Sequence, residues 1–335
     1  MTQTTTRLEK TIRVHTPEEA ALILGRNDEI ARAVETELGV SVVYRGERLI
    51  IQGKEQPVHI AEKFFHELRE IIRLGGQLRP HDVGNALRSV ADKDHVPLYT
   101  IFLDRIEIMS KRQWVTPKTR GQKAYVDAMK THDIVFGIGP AGTGKTYLAM
   151  AMAVAALKQQ QVNRVILTRP AVEAGENLGF LPGDLQEKIT PYLRPMYDAL
   201  YDMIDSDTIG RLMNKGVIEI APLAYMRGRT LNDSFVILDE AQNSTAEQMK
   251  MFLTRLGFDS RAVITGDITQ VDLPVHKSSG LIQVQSILKG IAGIRFMYLD
   301  EQDIVRHNLV QQIIKAYAVF EEKKEKRSVN AQKAV

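Results

Sequence analysis

The segment that most constrains the fold is the eight-residue loop from Gly139 to Thr146, which has the pattern G-x-x-x-x-G-K-T. An apolar run, Ile134 to Ile138, precedes it, and a helix-like segment, Tyr147 to Leu157, follows. Glycines allow successive backbone N–H groups to curl round an anion, and the dipole of the helix N-terminus favours negative charge. A strand before the loop and a helix after it distinguish a phosphate-binding loop from a chance glycine-rich turn. The pattern therefore predicts a nucleoside triphosphate site.

The residues of this loop have separate predicted roles. Lys145 is expected to reach the β- and γ-phosphates of ATP and to act in catalysis, and the Thr146 hydroxyl to ligate Mg²⁺. The predicted nucleotide-binding residues of the segment are Gly139, Pro140, Ala141, Gly142, Thr143, Gly144, Lys145, Thr146 and Tyr147.

A second segment, Phe235 to Glu240, is an apolar strand that ends in two acids. Adjacent carboxylates at the end of a buried strand need a cation or a proton, and Mg²⁺ bound to ATP supplies the cation. Asp239 is expected to hold Mg²⁺, mainly through water, while Glu240 positions and polarises the attacking water. An acidic helix start is the alternative interpretation. The phosphate loop elsewhere in the chain favours the catalytic one.

Six apolar runs between residues 134 and 299 alternate with helical patterns. This alternation is typical of an α/β fold whose parallel sheet is covered on both faces by helices. Ligands of such sheets bind at the carboxyl ends of the strands, where the phosphate loop lies. The runs are Ile134 to Ile138, Val165 to Leu167, Val217 to Ile220, Phe235 to Leu238, Ala262 to Ile264 and Phe296 to Leu299.

The N-terminal part has shorter alternating patterns, which predict a small α+β domain over residues 1–78. A connector is predicted over 79–115, with a candidate strand at Tyr99 to Leu103; the ATPase domain covers 116–320 and a flexible polar tail 321–335. The predicted elements of the first domain are a strand at Ile12 to Val14, a helical stretch from Pro17 to Leu38, a strand region from Ser41 to Ile51 and a helix from Pro57 to Leu74.

Composition limits the class of protein. The chain has 335 residues, no cysteine and a formal net charge of +3. It therefore has no disulfide framework and no Cys-ligated metal, and the charge permits an anionic partner without demanding one. Residues 1–10 lack the apolar segment of a secretory signal, and no run approaches the roughly 18 apolar residues of a membrane span. A cytoplasmic location without membrane association is expected.

Several short segments carry a resemblance to known families. The run Asp239 to Gln242, the run Thr265 to Asp272 and Gln122 together resemble the nucleotide-binding half of superfamily 1 helicases. More closely, Thr116 to Phe320 is similar to the PhoH-like ATPase family, in which the stretch Asp303 to His307 is a further marker. The resemblance implies a RecA-like P-loop NTPase. It also implies that Gln122 bonds the adenine edge and that Gln270, a catalytic residue, senses the γ-phosphate.

The N-terminal part fits the long bacterial form of that family, because Leu24 to Ile30 and Leu49 to Gly53 resemble a KH domain. A KH domain clamps single-stranded nucleic acid with a G-x-x-G loop. Here the second glycine is Asp28, while Arg26 is a candidate nucleic-acid contact. Residues 1–100 hold 14 Lys and Arg against 15 Asp and Glu, a net charge of −1. A docking or oligomerisation module is the alternative.

The resemblance also bears on how the ATP site is completed. A monomeric superfamily 1 helicase closes its ATP site with arginines from a second ATPase domain, and the polar residues 321–335 are not expected to form one. An arginine from a neighbouring subunit is therefore expected, in a homo-oligomeric, hexameric ring. Arg306 is the catalytic candidate, and Arg169 and Arg229 are the runners-up. Alternatively, Arg306 caps a helix or pairs with a nearby acid.

Two functions fit these features best. The first is an Mg²⁺-dependent ATPase that remodels or unwinds RNA, with Arg169, Arg227 and Arg229 as further candidate nucleic-acid contacts. The second is a nucleotide-gated scaffold that recruits a partner without unwinding RNA. The resemblance implies a single-strand-specific endoribonuclease of RNA maturation as that partner. A small-molecule kinase is a third possibility, which the pair of acids aimed at water disfavours.

Overall fold

The computed structural model of the chain describes residues 7–111, 113–170, 185–274 and 277–305, together with 310, 313, 316 and 317. Two separate groups of elements, each with its own buried apolar side chains, lie on either side of residue 105. Within the described ranges, no helix has the length and apolar character needed to cross a bilayer.

The N-terminal unit is an antiparallel sheet with strand order β1-β3-β2, packed against helices. The predicted small α+β domain is therefore confirmed. The predicted helical stretch from Pro17 to Leu38 is divided in two by a turn at Gly25 to Asp28, and the predicted strand region is a hairpin. The elements are β1 (Leu8–Arg13), α1 (Pro17–Leu24), α2 (Glu29–Leu38), β2 (Ser41–Arg45), β3 (Arg48–Gly53) and α3 (Glu55–Arg73).

The residues that follow α3 add two helices to the same core. They are α4 (Val83–Ala91) and α5 (Leu98–Phe102), and their apolar side chains pack with those of α3. The prediction of a strand at Tyr99 to Leu103 is wrong. Leu98, Ile101 and Phe102 are all buried, and this i, i+3, i+4 spacing places them on one face of a helix. The first core thus extends to Phe102, beyond residue 78.

A short hairpin, β4 (Ile106–Glu107) and β5 (Trp114–Val115), leads into the second unit. The centre of that unit is a six-stranded, all-parallel sheet with strand order β11-β6-β10-β9-β7-β8. Its elements are α6 (Arg120–Thr131), β6 (Ile134–Ile138), α7 (Lys145–Lys158), β7 (Arg164–Arg169), α8 (Leu185–Met203), α9 (Ser206–Asn214), β8 (Ile218–Pro222), β9 (Ser234–Leu238), α10 (Ala246–Leu253), β10 (Arg261–Gly266), α11 (Gly280–Ile287) and β11 (Ile294–Tyr298).

The two faces of this sheet are both covered by helices, as predicted. Because strand side chains alternate, Val135 and Ile237 pack against the helices on one face, while Phe136 and Val236 pack on the other. The first face is covered by α6, α7, α8 and α9, and the second by α10 and α11. All six predicted strands are present, with their ends shifted by a few residues. The second unit is a RecA-like P-loop NTPase domain.

Candidate nucleotide-binding and catalytic site

The phosphate loop begins where β6 ends, and its first residue is held on two sides. The Gly139 N–H donates to the Gly266 carbonyl at 3.1 Å, which ties the loop to the end of β10. A Cβ atom at position 139 would clash with the backbone carbonyl oxygen of Leu299. The first glycine of the motif is therefore required by close backbone approach.

The second half of the loop brings the Lys145 ammonium to the loop's own carbonyls. Gly142 and Gly144 have φ values of +87° and +79°, the left-handed region that favours glycine. Gly144 caps α7, and the Lys145 ammonium donates to the carbonyls of Gly139 and Pro140 at 2.6 and 2.8 Å. The positive charge thus lies inside the loop. Because phosphate oxygens are stronger hydrogen-bond acceptors than carbonyls, a bound phosphate would take the place of these carbonyls as the acceptor for Lys145.

The acid at the end of β9 faces the first turn of α7. One oxygen of Asp239, Oδ1, accepts hydrogen bonds from the Thr146 and Thr265 hydroxyls, each at 2.7 Å. Asp239 is buried, with 6% of its surface exposed. A carboxylate and a hydroxyl in contact are the hard oxygen ligands that Mg²⁺ takes beside phosphate and water. These residues therefore fit the metal that the sequence predicts.

Glu240 has a backbone conformation that is uncommon for a glutamate, with φ of +51°. Its Oε2 accepts a hydrogen bond from the Gln242 amide at 2.6 Å, and its Oε1 lies 3.6 Å from the Arg169 guanidinium. Arg169 also donates to the Tyr192 carbonyl at 2.9 Å, which connects it to α8. Contacts from two directions thus hold the Glu240 carboxylate at the edge of the site.

The third wall is the loop that follows β10. The Gln270 amide donates to Asp267 Oδ2 at 2.8 Å, and the Asp267 N–H donates to Gln242 Oε1 at 3.0 Å. Gln242 is 1% exposed and therefore links Glu240 to the Gln270 loop from behind. Sequence reasoning did not assign a role to Gln242. The available signal was the position of this amide side chain, two residues after the second of the paired acids.

These three walls enclose a cavity of about 270 Å³ at the carboxyl end of the sheet. Lys145, Asp239 and Gln270, which are far apart in the sequence, meet in it. β10 lies between the strand that leads into the loop and the strand that ends in the acids, so its end forms the floor. The lining residues are Ala141, Gly142, Gly144, Lys145, Thr146, Tyr147, Asp239, Glu240, Gly266, Asp267 and Gln270.

Comparison with known proteins identifies the family of the chain. The family model described as PhoH-like protein matches residues 114–318. The chain belongs to the PhoH-like family. A "PhoH-like protein" of Bacillus subtilis is 51% identical over 301 residues, 90% of this chain and 94% of its own length. One of Mycobacterium tuberculosis is 55% identical over 302 residues, 90% and 85% of the two chains. One of Synechocystis is 45% identical over 320 residues, 95% of each.

Within this PhoH-like chain, Gln122 lies behind the phosphate loop. It is 4% exposed, and its Oε1 accepts from the Lys118 N–H at 2.8 Å. Its amide nitrogen donates to the carbonyls of Thr143, at 3.0 Å, and Asp303, at 3.4 Å. The side chain is therefore engaged with three backbone groups, and its contact with adenine stays a prediction.

The other predicted arginines that the structure describes lie outside the cavity lining. Arg26 and Arg227 are exposed, in the turn between α1 and α2 and in the loop before β9. Arg229 donates two hydrogen bonds to the Glu219 carboxylate, at 2.6 and 2.7 Å, and this pairing raises the pKa of Arg229. Arg306 lies outside the described residues.

The buried side chain of Tyr125 contacts the backbone of the phosphate loop. Burial raises the pKa of the Tyr125 phenol well above its usual value, and the negative charge of Asp239 adds to this effect. The phenol therefore stays protonated, and it lies 3.4 Å from the Lys145 carbonyl, to which it donates. The phosphate loop, the two acids that follow β9 and the residues that contact them form the site of a P-loop protein that hydrolyses nucleotides.

Proposed function

We propose that the protein is an Mg²⁺-dependent ATPase. The observation that carries the proposal is the single cavity in which Lys145, Asp239, Glu240 and Gln270 converge. Thr146 and Asp239 would hold Mg²⁺, whose chemistry is to neutralise charge on the β- and γ-phosphate oxygens. Lys145 binds the same phosphates. With the other residues assigned to Mg²⁺ and to phosphate, Glu240 is the residue that acts on the attacking water.

Glu240 accepts a hydrogen bond from the attacking water and orients it toward the γ-phosphate. Gln270 lies on the same cavity wall, and its amide can donate and accept at once. It is therefore suited to sense whether the γ-phosphate is present. Gln242 contacts both the Glu240 carboxylate and the Asp267 backbone. A movement of the loop that holds Gln270 would therefore change the position of the Glu240 carboxylate, which activates the water.

We also propose that ATP turnover drives remodelling or unwinding of RNA. Support comes from the turn between α1 and α2, where a KH domain has its G-x-x-G loop. Asp28 replaces the second glycine yet has φ of +59°, so a left-handed backbone is kept at this position. The exposed Arg26 stands in this turn, and the exposed Arg227 offers a second cation in the ATPase domain. Both are available to phosphates.

Steady-state release of phosphate, with and without single-stranded RNA, tests this function. We expect wild-type protein to release phosphate faster with RNA, and the RNA affinity to fall as salt rises. Arg26→Gln should weaken RNA binding by about three- to tenfold, because one phosphate contact is lost. Arg13→Gln removes an exposed arginine from β1 and serves as the matched control. Unchanged phosphate release and no salt-sensitive binding would contradict the RNA proposal; phosphorylated product instead of free phosphate would indicate a kinase.

The alternative function is a nucleotide-gated scaffold for a single-strand-specific endoribonuclease. This function uses the same ATP site as the first, but the nucleotide would control recruitment of the nuclease instead of driving RNA unwinding. Strand displacement assays separate the two functions. Failure to displace a strand, together with ATP-dependent binding of the nuclease, would favour the scaffold.

We further propose that a homo-oligomeric ring, a hexamer, completes the site with Arg306 of the neighbouring subunit. Arg229 is paired with Glu219 of its own chain, and Arg169 contacts its own Glu240. These contacts support Arg306 over the other two arginines as the residue supplied in trans.

Mixing of inactive variants tests that assignment. Arg306→Ala and Lys145→Ala should each reduce turnover by at least about 100-fold, because each removes charge that stabilises the transition state. In a random equimolar mixture, about one interface in four combines an intact Lys145 with an intact Arg306. Turnover should therefore recover toward a quarter of the wild-type rate. Mixtures as inactive as the separate variants would remove the support for an arginine in trans.

A further inference from the structure

A short segment, residues 118–122, connects the N-terminal unit to the phosphate loop. On the N-terminal side, the Lys118 ammonium donates to Asp82 Oδ2 at 2.8 Å. Arg120 lies 3.4 Å from the carboxylates of Asp92 and Asp94, which follow α4. The family model begins at residue 114, so these three acids belong to the part of the chain that it does not cover.

The anchor of this segment is the ion pair between Asp82 and Lys118, which joins a buried carboxylate to a partly exposed lysine. Asp82 is 1% exposed, and its Oδ1 atom has no hydrogen-bond partner among the residues that the structure describes. The Nε2 atom of the His81 ring lies 3.7 Å from that oxygen, which is longer than a hydrogen bond. A buried carboxylate with so few partners depends on the one ammonium that it has. Lys118 is thereby fixed to the turn before α4.

The other end of the segment reaches the phosphate loop. The Lys118 N–H donates to Gln122 Oε1 at 2.8 Å, and the Gln122 amide donates to the Thr143 carbonyl at 3.0 Å. The Thr143 hydroxyl donates to the Pro140 carbonyl at 3.0 Å. That carbonyl is one of the two that accept from Lys145. The contacts therefore run without a gap from a buried acid of the N-terminal unit to the lysine that binds phosphate.

We propose that the N-terminal unit sets the nucleotide affinity of the ATPase domain through Asp82, Lys118 and Gln122, which act as positioning residues of the phosphate loop. The proposal rests on the proposed ATPase function and deepens it. A Cβ at Gly144 would lie 3.2 Å from the Gln122 amide nitrogen, so Gln122 also limits how far the loop can move toward α6. Without this wall, the loop would sample more conformations, and fewer would be ready to bind phosphate.

The proposal has a consequence for ligands of the N-terminal unit. Coupling between two sites is reciprocal in free energy. A ligand that shifts α4 relative to α6 would change ATP affinity, and ATP would change the affinity for that ligand by the same factor. The Asp82 anchor, not the sheet of the N-terminal unit, carries this coupling.

Asp82→Asn tests the anchor, because it removes the charge and keeps the shape. We expect the Kd for a non-hydrolysable ATP analogue to rise by roughly three- to tenfold. The same change in KM with a smaller change in kcat would mark a positioning effect. Glu62→Gln is the matched control, since Glu62 pairs with Lys10 in the same unit but away from residues 118–122. Wild-type affinity in Asp82→Asn would overturn the proposal.

A double-mutant cycle with Gln122→Ala tests the path. If the anchor acts through Gln122, Asp82→Asn should weaken nucleotide binding no further in the Gln122→Ala background. Additive losses would overturn the role of Gln122. Gln122→Ala should also weaken ATP and GTP by the same factor, because a loop contact does not distinguish bases. A loss confined to ATP would instead assign Gln122 to adenine.

Nucleotide binding by a double variant and by the wild-type protein gives an answer even if Asp82→Asn does not fold. The variant with both Asp82→Asn and Lys118→Met leaves no unpaired buried charge, so it should fold even if the single variant does not. It should show the same three- to tenfold loss, and wild-type affinity would overturn the proposal. Wild-type protein that binds no nucleotide would refute the ATPase function itself, which is a different outcome.

Discussion

Glu240→Gln is expected to bind ATP as wild type does and to lose turnover by about 10²- to 10⁴-fold. The substitution keeps the size of the side chain and one oxygen that can accept from Gln242. It removes the negative charge that orients and polarises the water. The hydrogen bonds from Lys145 to the Gly139 and Pro140 carbonyls and from Thr146 to Asp239 are made without Glu240, so nucleotide affinity is expected to stay at the wild-type value.

The measurement for Glu240→Gln combines two assays. Binding of a fluorescent ATP analogue gives the affinity, and single-turnover release of phosphate gives the rate of the chemical step. Glu247→Gln is the control, because Glu247 is an exposed carboxylate in the first turn of α10, seven residues along the chain. An equal loss of affinity and rate in Glu240→Gln would show that this residue belongs to the binding set, and the division of roles would then be wrong.

The core of the site could be predicted from the sequence because each part is a short local pattern. The loop Gly139 to Thr146 and the strand ending at Glu240 need no distant residue to be recognised. Their meeting in one cavity follows from the parallel sheet, since carboxyl ends of parallel strands share an edge. The structure places Gln270 there as well. The chemical role assigned to each of these residues stays a prediction.

The contacts that support the site could not be predicted in this way. Gln122 bonds backbone groups of Thr143 and Asp303, 21 and 181 positions away, and no local pattern encodes such partners. The same holds for Arg229, whose charge is paired with Glu219 of the preceding strand. At Tyr99 to Leu103, β-branched and aromatic residues suggested a strand. Packing of their buried face against α3 outweighed that preference.

Lys145→Ala is expected to lower ATP affinity by about 100-fold or more, and turnover falls with it. Each hydrogen bond from an ammonium to a phosphate oxygen contributes about 1.5–3 kcal/mol, and two such bonds account for this loss. The Gly139 and Pro140 carbonyls, which now accept from Lys145, would also lose their cation.

The control for Lys145→Ala comes from the same helix. Lys158→Ala removes an exposed lysine from the last turn of α7, where it lies 3.2 Å from the Glu107 carboxylate. Both variants change the charge by one unit on the same helix, and only one of them faces the cavity. Equilibrium titration with an ATP analogue should therefore separate them by about two orders of magnitude. Equal affinities would mean that the ammonium does not reach the phosphates, and the loop would then bind through its backbone amides alone.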